Sequence, residues 1–148
     1  MTPPAVPKKL EELLRDFEAL DRSERTELLI HWADQFVDVP PEIARRPFPD
    51  ANRAPRCESE AYVFATPRPD GTLDFHFAVE NPQGLSAKAW AAILSHGASG
   101  APLDQVAAID PEVIPRIFGP ELSMGKGQGL VGMLELVHFE ARRRMRGA

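Results

Sequence analysis

"SEAYVFATPRPDGTLDFHFAVE", residues 59–80, changes the period of the chain from helical to two. In its second half Leu73, Phe75, Phe77 and Val79 alternate with Asp74, His76, Ala78 and Glu80, so one set faces a core and the other faces away. Between the two apolar runs stands "PRPDG", and Gly71 supplies the residue that takes a positive φ at low cost in a tight turn. The stretch predicts an antiparallel hairpin with one buried face. His76 then points away from that core, which favours a solvated or edge-packed histidine over a ligand.

The chain on either side is helical. Leu10, Leu13, Leu14, Phe17 and Leu20 recur at helical spacing and predict an amphipathic helix over residues 8–20. Asp21 and Ser23 are candidate caps for a second helix carrying the stripe Leu28, Leu29, Trp32 and Phe36. Prolines at 40, 41, 47 and 49 forbid a helix through the next stretch, so residues 38–56 form a long connection with at most one short turn. Downstream, Ser86 is a candidate cap for a helix through Trp90, Ile93 and Leu94 to a stop at Gly97, and Pro102 and Pro111 suit first helical positions. "ELSMGKGQGL" reads as a glycine-punctuated loop before a last helix that buries Leu130, Met133, Leu134 and Val137. The fold class is α+β: a small antiparallel sheet, the central hairpin, covered on one face by N- and C-terminal helices. All of residues 1–148 form a single domain, with residues 1–7 a mobile tail.

Composition narrows the function classes. The chain is 43% hydrophobic and 26% charged with a net charge of −5, a balance that disfavours a nucleic-acid partner. Four arginines, Arg142, Arg143, Arg144 and Arg146, read as a solvated final helical turn whose cations complement the helix dipole, rather than as a phosphate-binding patch. The apolar runs fall well short of the roughly 20 residues that a membrane helix requires, and no signal-peptide pattern opens the chain, so the expectation is a cytoplasmic protein with no membrane partner. His31, His76, His96 and His138 are scattered through separate elements with one cysteine among them, so no metal site is expected. "GKGQG" at 125–129 lacks the Ser or Thr and the preceding strand of a phosphate-binding loop, and is read as a helix entry.

The single cysteine, Cys57, stands where the long connection reaches the first strand, in "ANRAPRCESEAYVF" at 51–64. Its neighbours Arg56, Glu58, Ser59 and Glu60 are polar, unlike the surroundings of an ordinary buried structural thiol, so the junction is expected to expose it. Arg56 favours the thiolate, while Glu58 and Glu60 oppose it. No histidine lies nearby in sequence to act as base, and the chain offers no resolving cysteine, which weakens hydrolase and thiol-peroxidase readings. A thiol that exchanges sulfur with a partner fits better. An inert cysteine remains the bland alternative.

Asn52-Arg53-Ala54-Pro55-Arg56-Cys57, followed by Ser59, the strand Ala61-Tyr62-Val63-Phe64, Asp70-Gly71 and Leu73-Asp74-Phe75, resembles the SufE-like proteins, sulfur acceptors for cysteine desulfurases. "AKAWAAIL" and "LSMGKGQGLVGMLELV" resemble the family's later helix and its terminal motif. The sequence departs from that pattern in three places. Lys126 stands where arginine is usual, Arg56 replaces the common glycine before the cysteine, and Tyr62 takes a tryptophan position. The resemblance implies a SufE/NifU-like fold and a sulfur carrier that takes persulfide sulfur onto Cys57 from a desulfurase of the SufS kind, stimulating it. The sulfur then passes to an iron–sulfur scaffold complex of the SufBCD kind. It also implies that Arg56, Ser59, Lys126 and Gln128 serve partner binding, and that pyridoxal phosphate belongs to the desulfurase, leaving this chain without a cofactor. By the same resemblance the thiol tucks toward apolar residues at rest. Such a chain is a sulfur-transfer accessory protein rather than a stand-alone enzyme. The alternative is a non-catalytic module that binds and regulates a desulfurase or another enzyme.

Overall fold

A computed structural model describes residues 5–120 and 122–147. Of the tail expected at residues 1–7, residues 1–4 lie outside those described. Pro7 is buried and forms the N-cap of α1, Lys8–Glu18. Its stripe Leu10, Leu13, Leu14 and Phe17 is buried as the spacing requires. α2, Arg22–Asp34, begins at a capping box: Glu24 N donates to Asp21 Oδ1 at 2.9 Å, and Asp21 N donates to Glu24 Oε1 at 3.0 Å. Asp21 is therefore the cap and Ser23 lies inside the helix. Leu28, Leu29, Trp32 and Phe36 are only half-buried against the core, and Phe36 falls beyond the helix end.

The hairpin forms as its period demands. β1, Ala61–Pro67, pairs antiparallel with β2, Leu73–Val79, in a register that sets Val63 opposite Phe77 and Ala65 opposite Phe75. That face packs under α3, Leu85–Ala98, on the β2 side and under α6, Met124–Met145, on the β1 side. Two short helices, α4 at Leu103–Ala107 and α5 at Val113–Phe118, complete the layer, with α4 against α6 and α5 against α1. Trp90, fully buried in α3, donates its indole N–H to Leu130 O of α6 at 3.0 Å and ties the two long helices over the sheet. His138 of α6 donates from Nε2 to Ile109 O at 2.7 Å, and burial pushes its pKa below the usual imidazole value.

The helices cover one face of the sheet, as the pattern predicts; the opposite face is not left to water. Phe64 and Ala78 on that side are buried in a second cluster with Val39 and Phe48 from the long connection. Phe48 packs, with its ring tilted, at 5.1 Å from Tyr62 and 5.2 Å from Phe64, ring centre to ring centre. Arg46 lies over the Phe48 ring and bonds both Asp38 and Glu80, clamping the connection to the end of β2. His76, on this outer face, is half-buried and bonded to Thr66 at 3.0 Å, an edge-packed histidine.

The connection is more ordered than a proline-rich loop suggests. It makes a turn over residues 40–44 and a 3-10 turn at Asp50–Asn52, and it hydrogen-bonds both sides of the hairpin. Val39 N donates to Phe77 O at 2.9 Å on the β2 side; Ala54 N donates to Ala61 O and Asn52 Nδ2 to Val63 O, each at 2.8 Å, on the β1 side. Beside β2, Ser99 Oγ accepts from Phe75 N at 3.0 Å, Ser95 Oγ donates to Phe75 O at 3.1 Å, and Gly100 N donates to Leu73 O at 2.8 Å.

Three expectations about helix ends are corrected. Gly97 does not stop α3; it lies within the last turn, where an added Cβ would stand 3.2 Å from Leu10 Cβ, so its smallness serves the α1–α3 crossing. Gly84 rather than Ser86 is the N-cap of α3. The glycine-punctuated "loop" is largely helix: α6 starts at Met124, capped by Ser123, and carries Gly125, Gly127, Gly129 and Gly132 in its first turns.

Candidate functional site

The helical glycines explain where Cys57 goes. Gly125, Gly129 and Gly132 fall at positions i, i+4 and i+7, on one face of α6. An added Cβ on Gly129 would stand 3.1 Å from Cys57 Cα and 3.4 Å from Cys57 Sγ. One on Gly132 would overlap Pro55 O. The cysteine loop thus lies backbone against backbone on α6, a contact only glycine permits.

The loop itself is a tight double turn. Arg56 has φ of +59° and Glu60 of +52°, left-handed values uncommon outside glycine. Glu60 N closes the turn on Cys57 O at 3.1 Å, and Asn81 N binds Ser59 O at 3.1 Å. These turns send the side chain of Cys57 inward. The thiol is 8% exposed and joins the main core, correcting the expectation of an exposed thiol read from its charged sequence neighbours. Its spatial neighbours on α6 lie about seventy positions away in the chain, as the numbering of Gly129 shows.

The structure brings together all five residues singled out from the sequence. Cys57 separates two concavities. One, a shallow depression of about 600 Å³, is lined by Asp50, Arg53, Arg56, Cys57, Glu58 and Gln128 among others. The other, about 190 Å³, lies between the loop, the start of α3 and the start of α6, and is lined by Cys57, Ser59, Ser86 and Lys126 among others. Arg56 turns away from the thiol and pairs with Glu135 Oε1 at 2.6 Å, a half-exposed ion pair worth about 0–1 kcal/mol. Lys126 and Gln128 are exposed on the first turns of α6, and no carboxylate among the described residues pairs with Lys126. Gln128 also borders an apolar groove of about 430 Å³ lined by Pro111, Ile114, Pro120, Leu122, Met124 and Val131. The sequence reading missed the roles of Gly129, Gly132 and Glu135; the helical spacing of the glycines was the one signal for the first two.

The chemistry open to this arrangement is that of a sheltered thiol. No histidine lines either concavity, so no imidazole stands ready as a base. Among the described residues no three His, Cys, Asp or Glu side chains are grouped to hold a metal. No helix among them is long and apolar enough to cross a membrane.

The left-handed turn at Arg56 carries an expected result. Arg56→Gly removes the cost of a side chain at positive φ but also loses the Glu135 pair and gains chain entropy when unfolded, so its stability should stay within about 1 kcal/mol of wild type. Arg56→Val, β-branched, should lose about 1–3 kcal/mol at the same position. Urea unfolding of the two variants checks the ordering.

The site is thus a lone thiol held on a left-handed turn against a glycine face, beside a helix-covered hairpin. The family model SufE, the Fe-S metabolism associated domain, matches residues 11–141, and the chain belongs to that family. No curated protein matches the chain. Among solved structures, the solution structure of a hypothetical protein from Thermus thermophilus is similar in fold, with a TM-score of 0.74 at 23% identity over 97% of this chain and 100% of that one. The family associates the chain with iron–sulfur metabolism.

Proposed function

We propose that the protein is a sulfur acceptor and carrier, taking sulfur from a cysteine desulfurase onto Cys57 and delivering it to an iron–sulfur scaffold. The observation that carries this reading is the placement of the only cysteine, buried at a turn that rests on the glycine face of α6. In the transfer, the Cys57 thiolate attacks the outer sulfur of the donor persulfide. A new S–S bond forms at Cys57, the donor S–S bond breaks, and the donor departs as a thiolate. Sulfur changes owner with no net oxidation. Arg56, Ser59, Lys126 and Gln128 surround the loop and form the docking rim; the pyridoxal phosphate stays with the desulfurase. Because the loop holds the thiol inside, docking has to draw it outward before attack.

Iodoacetamide labelling tests that opening. Cys57 in the free protein should alkylate at least about tenfold more slowly than an exposed peptide thiol, and faster once a desulfurase is bound. Fast labelling of the free protein, with only protection by the partner, would contradict the sheltered carrier. Incubation with desulfurase and cysteine should then place one extra sulfur on Cys57 by mass spectrometry. Stimulation of the desulfurase with no sulfur on Cys57 would leave a regulatory binding module instead.

A further inference from the structure

The apolar groove of about 430 Å³ beside the cysteine loop carries an uneven chemistry. α6 lines it with Met124, Gly127 and Val131, which share one face at helical spacing, and α5 and the chain after it contribute Ile114, Pro120 and Leu122. Among the described residues Arg56 is the one charged side chain in the lining. Asp110 and Glu112, on either side of Pro111, are exposed and take no part in it. Met124 stands 80% exposed, an unbranched thioether of the kind that adapts its shape to an apolar partner.

The groove also adjoins the thiol site. Arg56 and Gln128 line both the groove and the depression at Cys57, so the two concavities meet at those side chains. Glu135, which holds Arg56, is one turn past Val131 on the same face of α6. The guanidinium is only part used: Nη2 donates to Glu135 Oε1 at 2.6 Å, while Nε and Nη1 find no acceptor among the described residues. Arg46 shows in this same chain what the fork can do, since it bonds Asp38 and Glu80 together. Arg56 therefore has donors open to a second carboxylate, at the edge of an apolar trough.

An occupant that matches both features is apolar along its length and acidic at the Arg56 end. We propose that the groove receives a short apolar segment of the sulfur donor, the desulfurase, with a carboxylate of that segment on the open side of the Arg56 guanidinium. This rests on the sulfur-carrier reading and deepens it, giving the donor's apolar contact to the α5–α6 side of the docking rim. The docked segment excludes water from the new pair, which strengthens it over the half-exposed pair with Glu135 and draws Arg56 away from α6. Arg56 is the residue before Cys57, so docking and release of the thiol become one event.

The affinity of the full chain for a purified cysteine desulfurase, titrated without cysteine so that no sulfur moves, tests the groove. Met124→Glu sets a carboxylate at the groove and at the start of α6, where it suits the helix dipole, so the variant should melt no lower than wild type. It should nevertheless bind about tenfold more weakly. Arg56→Gln should weaken binding about threefold to tenfold, whereas Glu135→Gln, which leaves the guanidinium to the donor alone, should tighten it about twofold to fivefold. A pair that served only to hold the loop would move both variants in the same direction. That result, or wild-type affinity in Met124→Glu, overturns the groove. Self-association of the free chain that Met124→Glu abolishes, seen by sedimentation, would give the groove to a second copy and overturn it likewise. Adding cysteine and weighing Cys57 by mass spectrometry reads the carrier separately. Sulfur on Cys57 with all three affinities unmoved removes the groove and keeps the carrier; the expected affinities with no sulfur on Cys57 keep the groove and remove the carrier. A wild-type chain that no desulfurase binds overturns both.

Discussion

Cys57→Ser is expected to abolish sulfur acceptance completely while leaving the fold in place. A hydroxyl cannot form the S–S bond, and no second cysteine exists to take over, so mass spectrometry after exposure to desulfurase and cysteine should find added sulfur on wild type only. The exchange is nearly isosteric. Its cost is that of placing a hydroxyl where a thiol packed, about 1–2 kcal/mol at a site bordered by two concavities through which water reaches it. Equal sulfur on the serine variant would refute Cys57 as the carrier.

The second large effect is expected at Gly132. In a helix, glycine to alanine ordinarily stabilises by about 0.8–1 kcal/mol. Gly127→Ala should show that gain, since an added Cβ there meets nothing nearer than Leu122 Cδ2 at 3.8 Å. Gly132→Ala should do the reverse, because the atom in the way is Pro55 O, a backbone carbonyl that cannot swing aside. The loop has to lift from α6, at a net cost of about 1–3 kcal/mol. Lifting should also expose Cys57 and raise its alkylation rate by about tenfold or more. The contrast between two alanines five positions apart on one helix is the decisive readout. Equal stability and equal labelling in both would mean that the loop does not rest on the glycine face.

Much of the fold was legible because its signals were local. The hairpin announced itself through a period of two around Asp70-Gly71, and α1 through its buried stripe. The start of α6 was hidden because glycine opposes helix on its own, and only packing against a distant loop gives Gly129 and Gly132 a reason to be there. The cover over the outer face of the sheet was hidden for a related reason: Val39 and Phe48 sit in a proline-rich stretch with no periodicity to reveal which face they join. At the site, Cys57 stood out by being alone, and Arg56, Ser59, Lys126 and Gln128 by resemblance. Its burial did not show, since the residues that enclose it come from other elements and its own neighbours are charged. Arg56 misled in a second way, for its guanidinium goes to Glu135 rather than to the thiol.

A two-stranded sheet ought to be a hazard to its owner, because each strand has an outer row of amides and carbonyls that another chain can extend. Here much of each row is already engaged. Along β2 the groups of Leu73, Phe75 and Phe77 are engaged by Gly100, Ser99, Ser95 and Val39, and along β1 the carbonyls of Ala61 and Val63 are engaged by Ala54 and Asn52. These bonds leave the hairpin a shortened template for strand addition, whether by a partner that recruits by β-augmentation or by a growing fibril. Association is thereby favoured through side chains on the loop and helix surfaces. The same segment that carries Cys57 out to its turn is the one that seals the sheet, so a partner that pulled the loop far enough to unzip Ala54 from Ala61 would uncover a sticky edge. That ties the safe range of loop travel to the few residues on the thiol side of Ala54.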